Sequence, residues 1–594
     1  MNYPVWFVPT FGGGLLIALV AIVHVFVSHF AVGGGLYLVL TERKALTEKS
    51  AAIMAFVRTH TRFFMLLTMV FGGLTGVAIW FVISLINPAA TSLLIHTFVF
   101  GWATEWVFFL VEIVALFIYF YTFGRMDDRN HQIIGWIYFG AAWLSLFLIN
   151  GIIDFMLTPG DWISNHGFWS GFFNPTFWPA LFFRSFISFM LAGCYGFLTA
   201  TFIEDEALRH RMIRYSGIWA LVSLILSLPA GWWYLAVLPA PAARLVHGAS
   251  PTIARAGTVG AFSLALLAGL LITLILLSPK ARTRVLTALV MITAMGYLGA
   301  FEWTREAARR PFVINGVMYS NGLPVSAVSR IDQEGFLQNA RWVQNKEVTA
   351  ANRLEAGREL FLHQCFACHT IGGFNNDIIA RTRNMSFTGL RSYLATIHGK
   401  RYFMPPFAGT DAELQALAAY IAGGLNHKPL TDTGGAVGDH GKELFDTNCA
   451  ACHGADVLKP ILSGWPQKKI RTALDRLPSL NPAMPDYTGP PADKDALAGY
   501  LFSLNHPQPQ PATGAAPAAP STAGKGAGLF ADNCTACHGL DQIKPALKGW
   551  PRAKIRAALD KLSALNPAMP DYGGSAAEKD AVADYLTQQT GGAQ

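Results

Sequence analysis

Long apolar stretches alternate with short polar ones through the first half of the chain. Eight stretches are long enough to cross a bilayer as helices, and they lie near residues 12–40, 63–86, 93–124, 131–157, 179–203, 215–239, 257–278 and 285–304. The second half is more polar, and its apolar residues recur at helical spacing in short segments such as 352–362 and 412–425. The pattern predicts an all-α protein, with an eight-helix transmembrane bundle over residues 1–325 followed by small α-helical domains.

Composition supports this division. Hydrophobic residues make up 52% of the 594 residues and charged residues 14%, which is abnormal for a soluble protein, and the apolar excess lies in the first half. The net charge of +8 mostly reflects basic connections between the spans and gives no basis for nucleic-acid binding. The lipid bilayer is the partner that composition predicts.

Basic residues are concentrated in every second connection between the spans. The connections after the first, third, fifth and seventh spans carry Arg43, Lys44, Lys49, Arg58, Arg62, Arg125, Arg129, Arg209, Arg211, Arg214, Lys280, Arg282 and Arg284. The alternate connections contribute only Arg244 and Arg255. Because basic connections stay in the cytoplasm, both termini are predicted to lie on the opposite side. The first span is too long for a signal-peptide core and lacks a basic leader, so we expect a retained helix.

Three copies of Cys-x-x-Cys-His lie in the second half. They are Cys365, Cys368 and His369; Cys449, Cys452 and His453; and Cys534, Cys537 and His538. This spacing is the attachment signature of c-type haem, in which two thiols bind the porphyrin and the histidine ligates iron. The seventh cysteine, Cys194, lies in an apolar stretch, and the further ligands that zinc would need are missing nearby. The sequence therefore predicts three covalent c-type haems and electron transfer.

Each haem motif is followed by a Met-Pro pair, which supplies a candidate for the second axial ligand. These candidates are Met404, Met484 and Met569. Ligation by His and Met raises the haem potential and leaves no open position on iron, so these haems are predicted to carry electrons and not to bind substrate. The alternative is that the methionines only fill the core.

The haem half is predicted to contain three small α-helical cytochrome c domains. The first resembles class I cytochrome c, in which the helices near 352–362 and 412–425 would pack beside the haem. The second and third are an internal duplication at a constant offset, since 448–454 matches 533–539 and 481–487 matches 566–572. The predicted boundaries are 345–427 for domain 1, 440–505 for domain 2, 506–525 for a Pro/Ala-rich linker, and 526–594 for domain 3.

Haem attachment agrees with the orientation derived from the basic connections. Attachment of c-type haem takes place outside the bacterial cytoplasmic membrane, so the second half belongs on its outer side. We therefore predict a multi-pass protein of the bacterial cytoplasmic (inner) membrane, with both termini and the haem c domains on the periplasmic side.

Ionisable residues inside membrane spans are functional candidates. They are His24 and His29 on the first span, Glu105 and Glu112 on the third, and Glu302 and Glu306 near the outer end of the eighth. His24 and His29 lie roughly 140° apart around a helix, so they cannot share one ligand position. The two glutamates of the third span share a face, and a role in helix packing alone is the alternative. Asp154 and Arg184 form either a simple ion pair or part of a site.

The membrane half resembles subunit I of the cytochrome bd oxidase superfamily over about residues 10–325. The matching features are His24 with the three residues before it, the glycine-rich segment 72–76, the Glu105/Glu112 pair, Asn150-Gly151 followed by Pro159 and Asn174-Pro175, and the segment 306–312 with Arg309-Arg310-Pro311. Their order along the spans makes the match specific.

The resemblance implies roles for these residues. The first-span histidine of the family ligates an active-site haem, which maps to His24. A glutamate before the Arg-x-Pro motif ligates the neighbouring haem, which maps to Glu306 with Glu302 as the alternative. Third-span glutamates belong to the proton route and the haem pocket, which maps to Glu105 and Glu112. One or two non-covalent b- or d-type haems and a second membrane subunit are also implied.

The chain departs from family members that oxidise quinol. These hold a third haem between a fifth-span histidine and a later methionine, whereas Arg184 stands at the histidine position and residues 257–275 contain no methionine. The long quinol-binding loop is also missing, since only 239–256 joins the sixth and seventh spans. The chain thus resembles the quinol-independent, c-haem-bearing branch of the superfamily.

The expected activity is that of a membrane-bound, cytochrome c-dependent bd-type terminal reductase. Electrons from a periplasmic cytochrome or another redox protein would pass through the c haems to a buried high-spin haem that reduces dioxygen. One alternative is nitric oxide reduction on the same scaffold. Another is an electron conduit with no gas chemistry, although His24 and Glu306 argue against simple anchoring. A quinol donor would need a pocket near Trp162, Trp169 and Trp178, which are more economically interfacial anchors.

Overall fold

A computed structural model of the protein describes its helices and most of its connections. The described residues are 3–277, 283–385, 387–430, 437–449, 455–480, 484, 486–487, 489–506, 526, 529–530, 543–544, 547–562, 572 and 574–590. The chain divides into two compact units, Met1–His506 and Pro507–Gln594. The predicted linker 506–525 falls almost wholly outside the described residues.

The first half consists of long apolar helices joined by short connections. Their bounds are α1 Gly13–Thr47, α2 Ala51–Met65, a π-helical turn Leu66–Gly72, α3 Gly73–Ile86, α4 Pro88–Thr97, α5 Val99–Tyr121, α6 Asp128–Asp154, α7 Trp162–Asn165, α8 Phe168–Phe172, α9 Phe177–Ala200, α10 Glu206–Ala236, α11 Ala240–Arg244, a π-helical turn Leu245–Ala249, α12 Pro251–Leu277 and α13 Thr283–Ala307. In the described part of the chain, eight helices are long and apolar enough to cross a membrane. The predicted eight-helix transmembrane bundle is therefore confirmed.

The second span begins earlier than its apolar residues predicted. It is one continuous helix, Ala51–Ile86, because α2, the π-helical turn and α3 follow without a break. Arg58 and Arg62, which we assigned to a connection, lie in α2. The helix continues through these polar residues because an α-helix forms with polar side chains as well, and apolar side chains are needed only where the helix lies in the bilayer interior.

The fifth span, α9, is the centre of the bundle. Of the 18 residues in its most apolar stretch, 78% are buried inside the protein, compared with 6% in the second span. The second span therefore lies at the periphery of the bundle. A side chain at Gly33 of α1 would overlap the backbone of Ser188 in α9. The missing side chain lets α1 and α9 approach closely, as small residues do between membrane helices.

A short antiparallel pair of strands, β1 Phe312–Ile314 and β2 Met318–Tyr319, follows the eighth span. A 3₁₀ turn and two short helices come next, and they are followed by the helices of the first and second haem domains. They are a 3₁₀ turn Val325–Ala327, α14 Val328–Glu334, α15 Phe336–Asn339, α16 Arg353–Gln364, α17 Ile378–Thr382, α18 Phe387–Ala395, α19 Ile397–Lys400, α20 Asp411–Ala419, a π-helical turn Tyr420–Leu425, α21 Val437–Asn448, α22 Ala455–Ile461, α23 Gln467–Ala473, α24 Leu477–Leu480 and α25 Pro491–Ser503. Among the described residues of the second unit, the helices with assigned bounds are α26 Arg552–Ala558 and α27 Ala576–Thr590.

The same helix crossing organises all three haem domains. In the first, α16 crosses α20 at Gly357, where a side chain would overlap the Ala416 carbonyl oxygen. Gly441 meets Ala496 in the second domain, and Gly526 meets Ala581 in the second unit, in the same way. The helices predicted near 352–362 and 412–425 are thus confirmed, and glycine allows them to pack backbone against backbone.

Candidate functional site: a c-type haem site on the outer end of a membrane polar centre

The first haem motif lies in a turn that continues from α16. Cys365 ends the helix, and the backbone N–H groups of Cys368 and His369 donate to its carbonyl oxygen over 3.1 and 3.0 Å. His369 donates its Nδ1–H to the carbonyl oxygen of Asn376 over 3.1 Å, which leaves Nε2 for iron. Burial lowers the pKa of His369 to about 4, so its imidazole is neutral, as a metal ligand must be.

Hydrogen bonds join the methionine segment to the attachment segment. The Gln364 amide donates to the Ala408 carbonyl oxygen over 2.7 Å and accepts from the Ala408 N–H over 3.0 Å. His398 donates its Nδ1–H to the carbonyl oxygen of Met404 over 2.7 Å. Gln364 precedes Cys365 and Ala408 follows Met404, so both ends of the predicted ligand set belong to one small domain. These residues fit a c-type haem, which supplies one-electron transfer.

The second and third motifs are described only in part. Cys449 and Met484 lie in the described residues, whereas Cys452, His453, Cys534, Cys537, His538 and Met569 lie outside them. The repeat is visible in the surrounding structure: Lys469 lies 3.9 Å from the Trp465 ring centroid, and Lys554 lies 3.9 Å from that of Trp550. The ligand roles predicted for these two motifs stay predictions.

The first haem domain contacts the bundle at the end where the eighth span, α13, terminates. Arg310, just beyond α13, donates from its guanidinium to the sulfur of Cys368, and the Ser320 hydroxyl lies 3.9 Å from the same sulfur. Phe403, next to Met404, packs in an apolar cluster that includes Ala308. The haem attachment site therefore contacts the segment that leaves the eighth span.

The N-terminal segment also contacts this domain. The rings of Phe7 and Phe366 lie edge to face with centroids 5.6 Å apart, and the Phe374 N–H donates to the Thr10 carbonyl oxygen over 2.9 Å. The N-terminus and the first haem domain consequently lie on the same side of the bundle.

On the first span, His24 packs against the glycine-rich segment of the second. Its Nδ1 lies 3.1 Å from the Thr75 hydroxyl oxygen, and that hydroxyl donates to the Phe71 carbonyl oxygen over 2.9 Å. His24 therefore donates its Nδ1–H and keeps Nε2 free, which fits a haem ligand. A Cβ atom at Gly76 would lie 3.2 Å from His24 Cε1, so the glycine leaves room for the ring.

Buried charged residues form a second centre, which we call the outer polar cluster: Asp154, Arg184, Tyr234, Glu302 and Arg305. Arg184 and Arg305 each donate to Glu302 over 3.0 Å. The Asp154–Arg184 ion pair that we considered does not form, because Arg184 pairs with Glu302.

Many polar atoms of the outer polar cluster have no hydrogen-bond partner within the described part of the chain. They are both carboxylate oxygens of Asp154, Nε and Nη2 of Arg184, the Tyr234 hydroxyl and Nη1 of Arg305. Nε2 of His29, on the neighbouring helix α1, is another such atom. Buried polar atoms normally find a partner in water or a ligand, and the donors of Arg184, Tyr234 and Arg305 fit the carboxylates of a haem.

The two candidate glutamates of the eighth span lie in different surroundings. Glu302 is 7% exposed, whereas 47% of the Glu306 side chain is exposed and it pairs with Arg309. Arg309 also donates to the Val313 carbonyl oxygen over 2.5 Å. Assignment of Glu306, or alternatively Glu302, as an iron ligand stays a prediction.

The third-span glutamates share a face of α5, and both contact residues of the fourth span. Ser145 donates to Glu105 over 2.7 Å, and the Tyr138 hydroxyl lies 3.1 Å from the Glu112 carboxyl. Glu112 is 6% exposed. Two carboxyl groups are thus held inside the membrane by hydroxyl partners.

Sequence reasoning missed one polar group at the other end of the bundle. Glu42 of α1 lies 2.6 Å from His131 of α6 and accepts from Tyr119 of α5 over 2.8 Å. Glu42 and His131 are 2% and 3% exposed. The predicted first span ends at residue 40, which places Glu42 in a connection, whereas α1 continues to Thr47. An ionisable residue inside a span is a functional candidate, so a longer predicted helix would have included Glu42.

Comparison with known proteins identifies the haem half. The family model "Cytochrome C oxidase, cbb3-type, subunit III" matches three times, over residues 352–421, 436–501 and 521–586. These segments are cytochrome c-type domains. Each contains one of the three Cys-x-x-Cys-His motifs, so the predicted count of three covalent haems agrees with the three matches. The protein is accordingly an electron-transferring oxidoreductase with a multi-pass membrane domain.

The comparisons with curated proteins and with solved structures give little information about the membrane half. A search of the curated proteins finds no match. Among the solved structures, "The structure of bd oxidase from Geobacillus thermodenitrificans" is similar at a TM-score of 0.46 and 17% sequence identity, covering 51% of this chain and 88% of that chain. This likeness is weak.

Proposed function

We propose that the protein is a membrane-bound, cytochrome c-dependent bd-type terminal reductase. A periplasmic donor delivers electrons to the c haems, and the haem held by His369 and Met404 passes them to a high-spin haem in the bundle. Dioxygen is the acceptor, and each molecule takes four electrons and four protons to give two molecules of water. The membrane is the bacterial inner membrane, with the haem domains on its periplasmic side.

The contact between Arg310 and Cys368 is the observation that supports this proposal best. Arg310 lies four residues beyond Glu306 and eight beyond Glu302, the candidate ligands of the membrane haem. An electron that arrives on the first c haem is therefore next to the outer end of the eighth span. No separate carrier is needed between the two centres.

The residues of the bundle have separate tasks in this reaction. A b- or d-type haem, when bound, supplies the iron that binds the gas and receives electrons. His24 offers Nε2 to iron, and the buried donors of Arg184 and Arg305 hold the carboxylates of the haem. Glu112 and Glu105 hold protons at their carboxyl oxygens, and a carboxyl group in an apolar span readily keeps its proton.

The donor is a protein, since the residues that would hold a quinol-linked haem are replaced. Arg184 stands at the position of the missing histidine ligand and bonds to Glu302 over 3.0 Å, and a guanidinium group does not replace histidine as an iron ligand. The second and third c domains are the entry point for a periplasmic cytochrome or another redox protein. A second membrane subunit completes the complex.

An optical spectrum of the purified, fully reduced protein before and after addition of carbon monoxide tests the proposal. We expect a b- or d-type component that shifts with carbon monoxide beside c bands that do not. Consumption of oxygen and of nitric oxide, with a reduced cytochrome as donor, then identifies the substrate. If only c bands appear in a preparation that retains all its haem, the protein is an electron conduit; consumption of nitric oxide alone would make it a nitric oxide reductase.

A further inference from the structure

A column of paired polar residues runs through α5 and α6 from the end where Glu42 lies. On α5 its members are Tyr119, Glu112 and Glu105, each seven residues from the next. On α6 the partners are His131, Tyr138 and Ser145, again at intervals of seven. Because the two helices are antiparallel, the residues pair at three levels: Tyr119 with His131, whose rings stack 4.3 Å apart; Glu112 with Tyr138 over 3.1 Å; and Glu105 with Ser145 over 2.7 Å.

Glu42 and His131 hold a transferable proton at the first level. His131 Nε2 bonds to the Tyr119 carbonyl oxygen over 2.8 Å, and a carbonyl only accepts, so Nε2 carries hydrogen. His131 Nδ1 and Glu42 Oε1 are 2.6 Å apart, and this bond requires a second proton on one of these two atoms. The pair is either imidazolium with carboxylate or imidazole with carboxylic acid, and the proton can shift between them.

The hydrogen bonds at the second level, between Tyr138 and Glu112, also indicate a group that holds a proton. The Tyr138 hydroxyl lies 2.9 Å from the Ala31 carbonyl oxygen and 3.1 Å from Glu112 Oε1. One phenol proton cannot serve both acceptors fully. A protonated Glu112 that donates to the phenol oxygen satisfies both bonds, so this carboxyl group is suited to hold a proton.

Solvent is one hydrogen bond away from the first level. Gln132 is partly exposed and donates to Glu42 Oε2 over 2.5 Å. Glu42 lies near the end of α1, in the part of the bundle that carries the basic connections and faces the cytoplasm in the predicted orientation.

We infer that Glu42 and His131 are the cytoplasmic entry of the proton route, and that they pass protons to Glu112 and then to Glu105. The inference rests on the proposed function, because it assumes a reaction in the bundle that consumes one proton for each electron. Seven residues span about 10 Å of helix, and Val39 packs closely against Gly135 in the first interval. The inference therefore requires a water molecule in this interval to carry the proton.

The variant Glu42→Gln distinguishes proton transfer from mere packing. A glutamine can donate to neutral His131 and accept from Tyr119 and Gln132, so it keeps every hydrogen bond but has no transferable proton. Glu48→Gln is the matched control, since Glu48 is solvent-facing, lies just beyond α1 and pairs with Lys44 over 2.6 Å. Glu42→Asp keeps a carboxyl group and should recover much of the lost rate.

The measurement is proton uptake by the purified full-length complex, followed with a pH-sensitive dye while the membrane haem is reduced chemically without any gas. We expect Glu42→Gln to slow uptake at least about tenfold, as loss of a proton-transfer group does, with wild-type c-haem reduction, haem content and unfolding temperature. Uptake in Glu42→Gln at the wild-type rate would overturn the inference. If Glu42→Gln does not fold, His131→Asn, whose amide can still donate to Glu42, is measured by the same criterion.

An experiment that contradicts the proposed function can be distinguished from one that contradicts this inference. A wild-type complex that consumes neither oxygen nor nitric oxide contradicts the proposed function, whereas the dye measurement needs no gas. Slow uptake in Glu42→Gln supports the entry even then, and unchanged uptake rejects it even in an active enzyme.

Discussion

Hydrogen bonds at Nδ1 decide which histidine nitrogens are left for iron. His24 and His369 donate Nδ1–H to Thr75 and to the Asn376 carbonyl oxygen, so each keeps a free Nε2. His29 has the same arrangement, with Nδ1 bonded to the Val25 carbonyl oxygen over 2.8 Å. The position of each partner, and not the histidine alone, makes these residues suitable ligands.

Replacement of His24 tests its predicted role. We expect His24→Ala to lose the carbon monoxide-sensitive component of the reduced spectrum while the c bands persist, because the c haems do not depend on this residue. Gas consumption should fall by at least about 100-fold, more than changes in outer residues of metal sites usually cause. His96→Ala is the control, since His96 lies exposed on α4. A full carbon monoxide response in His24→Ala would contradict the assignment.

Buried His363 makes the first c domain sensitive to acid. Burial lowers the pKa of His363 below its ordinary value, so the unfolded chain binds a proton at a higher pH than the folded one. The free energy of unfolding should therefore fall as the pH drops below about 6.5, the unfolded value. Hydrogen exchange of α16 on both sides of this pH measures the loss.

The variant His363→Phe should flatten this dependence. A phenyl ring suits the site, because Phe7 and Phe336 already lie 5.8 and 6.0 Å from the His363 ring. If His363→Phe keeps the wild-type pH dependence, another group is responsible.

At the scale of elements, the haem domains depend on helices that touch backbone to backbone. A side chain at Gly357 of α16 would overlap the Ala416 carbonyl oxygen, and Gly441 and Gly526 repeat this arrangement. The tight crossing brings the helix that carries the haem motif against the closing helix of the same domain. The first domain thus shares one packing device with the duplicated second and third domains.

The variant Gly357→Ala should destabilise the first c domain by about 1–3 kcal/mol, the usual cost of overpacking a core. Hydrogen exchange of α20 should accelerate accordingly. Gly399→Ala is the matched control, because nothing lies within 4 Å of a Cβ atom at Gly399. Equal exchange rates in the two variants would show that the crossing tolerates a side chain.

The local pattern of apolar residues predicted the helices well, but it did not predict which helices contact one another. Apolar length identified the eight spans, and the segment 352–362 closely matches α16, because each signal lies within one helix. Arg184 and Glu302 are 118 residues apart, and Glu42 and His131 are 89 apart. Such pairs depend on which helices become neighbours, and no local pattern records that.

At the scale of the whole molecule, the membrane half and the haem half of the chain have different functions in the proposed reaction. The unit Met1–His506 contains the bundle and the first c domain in contact with it, whereas Pro507–Gln594 contains the third c domain. In the proposed function the second and third c domains receive electrons and the first c domain delivers them to the bundle.

Truncation after residue 430 separates these tasks. We expect the shortened protein to reduce gas at the wild-type rate with a small chemical donor, because the first c haem and the bundle are intact. The rate with a soluble cytochrome as donor should fall severalfold, and a chain that ends at 506 should be intermediate. Equal rates with the protein donor would place electron entry at the first c domain instead.

Reoxidation of the fully reduced, carbon monoxide-bound protein tests the central claim most directly. The sample is mixed with oxygen, a light flash removes carbon monoxide, and the c and membrane bands are followed separately. The account predicts that the membrane component is oxidised first and that the c haems follow within the same turnover. c haems that stay reduced while the membrane component is oxidised would contradict it.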